Sequence, residues 1–572
     1  MDNFTFSTLP YSRPDCKALI KKLRSLIGKA KKAKTYESLK ETFTAFESEM
    51  STFMETMSIA SIRHTLDTTD KFWETENDWL EQQSPAVSAV TLGMVKVLLD
   101  KKWEKPLREE YGDELLESLG RQMRSFSPKL ILLARKENAL CSKYQKLIAS
   151  AKIPFEGGEH NLYGMLKFLE HEDRELRRRA WDAYIGFFAA NEAELEDIFD
   201  KLMKIRYKMG RRMGFENFIP LGYLQQERSD YGRGEIERFR EQVRTVLTPF
   251  CAELYEAQRR RLGLDELMVW DEERIFPDGN ADPVGTEEEL VEKARLMYHE
   301  LSPETAEFID YMLEHQLMDL TNRPGKAATG YCATLPVLKA PFVFSCFNGT
   351  SGDIHVLTHE LGHALAAYRA TRRAKSIFLA QPGTDIAEIH SMSMEQFCYP
   401  WAESFFGENA DKFRFSHLQS ALTFVPFGVA VDEFQHICYD NPHLTPRERT
   451  AEWRKLEQKY MPWRKYADED EFSNWGGWWY HKIHIFLYPM YYINYTLTTM
   501  GALEFGKRSK EDMASAWRDY IALCDSGGSV SYLQQLRLAG LRVPFEEGSV
   551  EQATSHARQT LMEALRKEGL AD

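Results

Sequence analysis

The sequence predicts a mainly helical protein with one small sheet, and three observations carry that prediction. From about Asp15 to Asp265 the chain is charged but places apolar residues three and four apart, as in Glu192 to Met213 and Ile236 to Leu262, the period of a one-sided helix. Strand signal is confined to Met268 to Ile275 and Pro341 to Phe347. The polar patch PDGNADPVGTEEE, beginning at Pro277, reads as a loop or short hairpin before helical sequence resumes. A chain of 572 residues exceeds what one core usually organises, so two or more subdomains are expected. No proline- or serine-rich linker marks the break, which is placed near residue 175, dividing an N-terminal helical subdomain (residues 1–175) from the remainder (residues 176–572).

Charge and composition exclude several classes of partner. With 73 basic and 87 acidic residues the net charge is −14, which argues against nucleic acid. The basic runs Arg177-Arg178-Arg179 and Arg259-Arg260-Arg261 sit among acids and read as solvated or salt-bridged faces. The start MDNFTFSTLPYSRPD lacks the basic region, apolar core and cleavage site of a signal peptide. No apolar run approaches a bilayer span; the most aromatic one, Ile485 to Ile493, is interrupted by Pro489, so no membrane partner is expected. Eight cysteines are scattered singly, as expected of reduced thiols in a cytoplasm.

The most specific chemistry lies in TSGDIHVLTHELGHALAAYRA. On a helix, His359 and His363 stand about 40° apart in rotation and roughly 6 Å apart along the axis, so both imidazoles can address one ion. Glu360 can reach a metal-bound water without ligating, the position of a general base. Asp353 precedes the periodic Ile354, Leu357, Leu361, Ala364 and Leu365 and suits an N-cap. His355, one turn before His359, is expected to lie off the metal.

A catalytic zinc takes three protein ligands and keeps an open position. Glu388, in QPGTDIAEIHSMSMEQF, is the candidate third ligand. Asp385 and Glu388 also have capping-box spacing, so Glu388 could instead reach back to a backbone N–H. Asp385, Glu388 and Glu395 share one side of an otherwise apolar segment, and Asp385 and Glu395 could orient the ligating imidazoles. His390 should point elsewhere on that helix.

Two neighbouring segments bear on substrate. Val343 and Ser345 alternate with Phe344 in a short strand ended by Asn348-Gly349. As an edge strand, Val343, Phe344, Ser345 and Gly349 could hold an extended peptide; alternatively the strand lies inside a small sheet. In HKIHIFLYPMYYINY, Tyr488, Tyr492 and Tyr495 fall on one helical stripe with His484 a turn ahead. Such a stripe is core by default, although its phenols and imidazole could also stabilise an oxyanion.

Together HELGHA, AEIHSMSMEQF, GYCATLPVLKAPFVFSCFNGT, HIFLYPMYYINY, WDEERIFPDGNADPVG and SGGSVSYLQQLRLAGLRVPFEEGS resemble the thimet oligopeptidase family of zinc peptidases, most closely its oligoendopeptidase F branch. The resemblance implies two helical subdomains enclosing a deep channel, with a small sheet beside the zinc helix and residues 176–572 as the catalytic domain. It implies one Zn2+ per chain on His359, His363 and Glu388, with Glu360 as base. It also implies oxyanion donors among His484 and Tyr495, with Tyr488 and Tyr492 nearer the substrate. The implied activity is hydrolysis of internal bonds in short unfolded peptides. A dipeptide-releasing exopeptidase on the same scaffold is the nearest alternative. A peptide-binding protein with a vestigial metal site is the other, and a closed site would need a fourth ligand for which no strong candidate appears.

Overall fold

The helices begin where short polar side chains can accept the backbone N–H groups that a first turn leaves unpaired. Asp15, Thr35, Asp70 and Asp100 cap in this way the helices Cys16–Lys32, Tyr36–Leu66, Lys71–Leu98 and Lys101–Tyr111. The computed structural model describes residues 4–571 except 126, 229, 328 and 348, so the expected Asn348 turn residue lies outside the described residues. The chain is mainly helical, as expected, and packs as two compact units, each assembled from three stretches of sequence. The first comprises Met1–Met123, Asp282–Ala410 and Arg508–Leu541; the second comprises Arg124–Ala281, Asp411–Lys507 and Arg542–Asp572. Residue 175, where the sequence divides the chain, lies in the opening stretch of the second unit, within the helix Arg174–Ala190.

In the first unit the N-terminal helices bury one apolar face each around Leu23, Ile27, Phe43, Phe46, Val87 and Met94. A hairpin of the second unit supplies β1 (Ile153–Phe155) and β2 (Gly158–His160). The first unit's sheet contains β3 (Met318–Asp319), β4 (Tyr331–Leu335) and β5 (Ala340–Phe344), ordered β3-β5-β4, with β5 parallel to β3 and antiparallel to β4. Thus β5 is the central strand and β4 the antiparallel edge. All five residues of β5 are buried, which is why its sequence reads as continuously apolar.

The second unit is organised by Trp453, Trp479, Phe199, Phe434 and Phe486, whose rings pack edge-on and offset. The buried Arg206 binds Glu137 at 2.7 Å and donates to the carbonyl of Ile485 at 3.2 Å, fixing the segment that carries His484. The basic runs are salt-bridged: Arg177 meets buried Asp271 at 2.7 Å, Arg179 meets Glu156 at 2.7 Å, and Arg261 meets Glu568 at 2.8 Å.

The strand expected over Met268 to Ile275 does not form; Val269–Asp271 is a 3-10 turn. Gln258 donates to the carbonyls of Asp271, Glu272 and Arg274 at 3.1, 2.9 and 3.0 Å, so those groups bond a side chain in place of a strand partner. Among the described residues no helix is long and apolar enough to cross a membrane, and all eight cysteines are free thiols.

Candidate functional site

The helix Ser351–Arg373 carries the His-Glu-x-x-His residues, with Ile354, Leu357, Leu361, Ala364 and Leu365 on its buried face. Its N-cap is Thr350, and Asp353 lies inside the first turn, contrary to the expected capping role. The Asp353 carboxylate accepts the N–H of Gly349 at 2.7 Å and so closes the preceding loop. Against this helix packs Ala387–Phe397, and Gly362 lies in the contact. A Cβ there would stand 2.7 Å from the carbonyl oxygen of His390 and 2.7 Å from Cα of Ser391. Glycine is what lets the two backbones approach.

That approach brings the three expected ligands together. Glu388 Oε2 lies 3.2 Å from His359 Nε2 and 3.2 Å from His363 Nε2. The capping-box alternative does not form, because the N-cap is Ile386 in helical geometry with no side-chain cap bond. Glu388 is held instead by the hydroxyl of Ser391, which donates to Oε2 at 3.0 Å. Glu395 Oε1 sits 2.6 Å from His359 Nδ1, the orienting contact expected of it. Its other oxygen lies 3.4 Å from His355 Nδ1, so Glu395 stands between two imidazoles one turn apart. Asp385 is buried in the turn before the helix.

Burial works against charge on His359, but the flanking carboxylates of Glu388 and Glu395 outweigh it and hold the ring well above the ordinary imidazole range. Burial likewise opposes ionisation of Glu388, and the two imidazoles outweigh it, holding the carboxyl well below its usual range. Glu360 is buried, its Oε2 has no partner among the described residues, and burial pushes its pKa up. His390 is a buried neutral ring, lowered to about 4 chiefly by burial.

The donor set fits zinc. Ligand atoms of His359, His363 and Glu388 lie within 4.8 Å of one another, and two imidazole nitrogens with a carboxylate oxygen are donors zinc takes in open sites. His355, His359 and Glu395 form a second such grouping. There His359 would have to offer Nδ1, which Glu395 already engages. With Nδ1 engaged by Glu395, Nε2 is the nitrogen that faces Glu388 and would serve a metal.

The edge-strand expectation for Val343, Phe344, Ser345 and Gly349 is corrected. Val343 and Phe344 pair with β3 on one side and β4 on the other. The Ser345 N–H donates to the Asp319 carbonyl at 3.0 Å, and the Gly349 N–H is taken by Asp353. Apolar alternation could not distinguish a central from an edge strand. The available edge, β4, begins beside the site: a Cβ on Gly330 would come within 3.9 Å of Glu360 Oε1.

The aromatic segment of the second unit is not one helical stripe. Ile483–Leu487 is a single short helix, and helix resumes only at Ile493–Glu511. Pro489 biases Tyr488 out of helical geometry, and Met490 follows at φ +65°. Gln435 Oε1 accepts the N–H of Met490 at 2.8 Å, and Gln226 Nε2 donates to the Pro489 carbonyl at 3.1 Å, tying down this bend. The tyrosines nevertheless gather around His484, with ring centroids at 5.8 Å for Tyr488, 4.8 Å for Tyr492 and 5.7 Å for Tyr495. Tyr491, which sequence reading passed over, stacks at 6.0 Å. Ser391 was also missed, although its position three residues after Glu388 on a helix was a usable signal.

Fold and site define a helical peptidase of family M3, and the chain belongs to that family. The models described as "Peptidase M3 N-terminal domain" and "Peptidase family M3" match residues 6–126 and 167–554. Members of that family are metallopeptidases. The solved structure of PZ peptidase A with an inhibitor is 40% identical, with TM-score 0.92 over 97% of this chain and 99% of that one. Oligopeptidase PepF of Bacillus subtilis (strain 168) is 20% identical over 90% of this chain and 78% of that protein. The oligoendopeptidase F homolog of Borreliella burgdorferi is 21% identical over 91% of each. The protein is therefore a peptidase, and its substrates are peptides.

Proposed function

We propose that the protein is a zinc-dependent oligoendopeptidase that cleaves internal bonds of short unfolded peptides, with one zinc per chain on His359, His363 and Glu388. The observation that carries this reading is the convergence of those three donors beside a buried, unpartnered carboxylate oxygen of Glu360. When bound, the zinc would act as a Lewis acid that activates water and polarises the scissile carbonyl at neutral pH.

The remaining work belongs to the chain's own residues. Glu360, made more basic by burial, takes the proton from the attacking water and returns it to the leaving amine. Glu395 fixes the tautomer of His359, and Asp385, buried in the turn before the Glu388 helix, helps to orient the ligating imidazoles. An extended peptide adds to the outer edge of β4, whose start lies beside Glu360, in place of Val343, Phe344, Ser345 and Gly349. His484 and Tyr495 supply oxyanion donors, with Tyr488 and Tyr492 contacting substrate, a role that their clustering about one imidazole supports. The free thiols suit the reducing cytoplasm.

Glu360→Gln tests the reading directly. The variant should bind one equivalent of zinc by metal analysis while hydrolysis of an internally quenched peptide falls by about 10²- to 10⁴-fold. Wild-type turnover in that variant, or activity unaffected by stripping and restoring metal, would end the assignment.

A further inference from the structure

Several cations held away from water in the second unit face an anion. Arg177 has Asp271 at 2.7 Å, Arg206 has Glu137 at 2.7 Å, Arg240 has Asp432 at 2.9 Å and Arg464 has Glu272 at 2.5 Å. This is the usual requirement for taking a charge out of water. Lys482 departs from it.

Lys482 stands two residues before His484, between the turn Gly477–His481 and the helix Ile483–Leu487. Its ammonium sits over the rings of Tyr492, 4.7 Å from the centroid, and Phe427, 5.2 Å away. Burial is the sole influence on its pKa, which falls to about 8; among the described residues no carboxylate offsets the loss of water. Aromatic faces attract a cation but do not neutralise it. The chain carries 87 acidic residues against 73 basic ones, so the exception is not for want of acids. The side chain is only half-buried, so an anion from outside can reach it. Tyr492, whose ring bears the ammonium, also lies 4.8 Å from the ring of His484, so such an anion would dock one aromatic ring away from the imidazole.

We propose that Lys482 anchors a carboxylate of the peptide substrate. The inference rests on assigning His484 and its tyrosines to the cleavage site. The carboxylate belongs either to the peptide's free C-terminus or to an Asp or Glu side chain; the recognising chemistry, a charge-assisted hydrogen bond in a poorly solvated setting, is the same. An anchor of this kind fixes how many residues separate the carboxylate from the bond that is cut, and where the carboxylate is the free C-terminus it favours short peptides over long chains.

The experiment uses one internally quenched peptide in three forms: free C-terminal acid with an internal Glu, the same peptide amidated, and the same peptide with Glu replaced by Gln. Binding is read by fluorescence anisotropy in the zinc-loaded Glu360→Gln protein, and KM and kcat in the active enzyme. Wild type should prefer the parent peptide over one of the two neutralised forms by about tenfold in Kd and KM. Loss on amidation identifies the terminal carboxylate, and loss on Glu-to-Gln identifies a side chain. Lys482→Met, which keeps the aliphatic stem, should collapse that ratio to near one, and Lys482→Arg should retain it. Equal binding of all three peptides by wild type overturns the proposal, and this outcome needs no folded variant. A fall in kcat alone in Lys482→Met, equal for every peptide, also overturns it. His484→Gln separates the two levels: unchanged kcat defeats the site assignment, whereas reduced kcat without carboxylate discrimination in wild type defeats the anchor alone.

Discussion

Replacing Gly362 by alanine puts one methyl group between the two helices that bring Glu388 to the imidazoles. The new Cβ would lie 2.7 Å from the His390 carbonyl oxygen, 2.7 Å from Ser391 Cα and 2.9 Å from Met394 Cβ. Carbon contacts settle at roughly 3.5–4.0 Å, so the helices must part by about 0.8 Å. Ligand distances at a zinc site tolerate about ±0.2 Å, and the displacement is several times that. Overpacking costs about 1–3 kcal/mol, while alanine regains about 1 kcal/mol of helix propensity over glycine. The net loss of fold stability is therefore about 0–2 kcal/mol, whereas metal affinity should fall at least 10- to 100-fold, as for loss of an orienting partner. Thermal melts of metal-free protein give the first quantity, and competition with a chromophoric chelator gives the second. A Gly362→Ala protein that binds zinc as wild type does would refute the claim that this contact sets the position of Glu388.

Two further predictions concern the supporting residues. Glu395→Gln should weaken zinc binding by about 10–100-fold while leaving the fold's melting point within a few degrees, checked by chelator competition and calorimetry. Asp432 is buried, which opposes its charge, but His436, Arg240 and Arg228 outweigh burial and depress its pKa from 3.8 to about 2. A depressed acid stabilises the fold above the unfolded pKa and loses that contribution as pH falls through the folded one, here between about 4 and 2. The difference corresponds to about 2 kcal/mol, so the melting advantage of wild type over Asp432→Asn should shrink across that interval; an unchanged gap at pH 2 would contradict it.

What sequence could read was local periodicity and the identity of chemically unusual side chains. His359, His363, Glu360 and Glu388 were legible because a four-residue spacing has one meaning on a helix, and Glu395 because seven residues return to the same face as Glu388. The central position of β5 was not legible, since an all-apolar run says that both faces are covered without saying which strands flank its edges. Met268 to Ile275 misled because Val269 and Trp270 look strand-like, while what decides the backbone is Gln258, more than ten residues earlier, gathering three carbonyls. The His484 segment was read as one helix because tyrosine spacing was weighed above Pro489. Lys482 drew no notice in sequence, because the absence of a partner is visible only when the neighbours are in place.

The way the chain weaves between its two units sets an order on assembly. It passes from one to the other after residues 123, 281, 410, 507 and 541, so the unit that carries His359, His363 and Glu388 lacks its final piece until residue 541 has been made. Tyr520, in that last piece, donates to the His390 carbonyl at 2.8 Å on the helix bearing Glu388. A nascent chain halted before that point would hold the ligand sequence without the scaffold behind it. During synthesis, the protein would thus stay inert until the stretch that ends at Leu541 has left the ribosome.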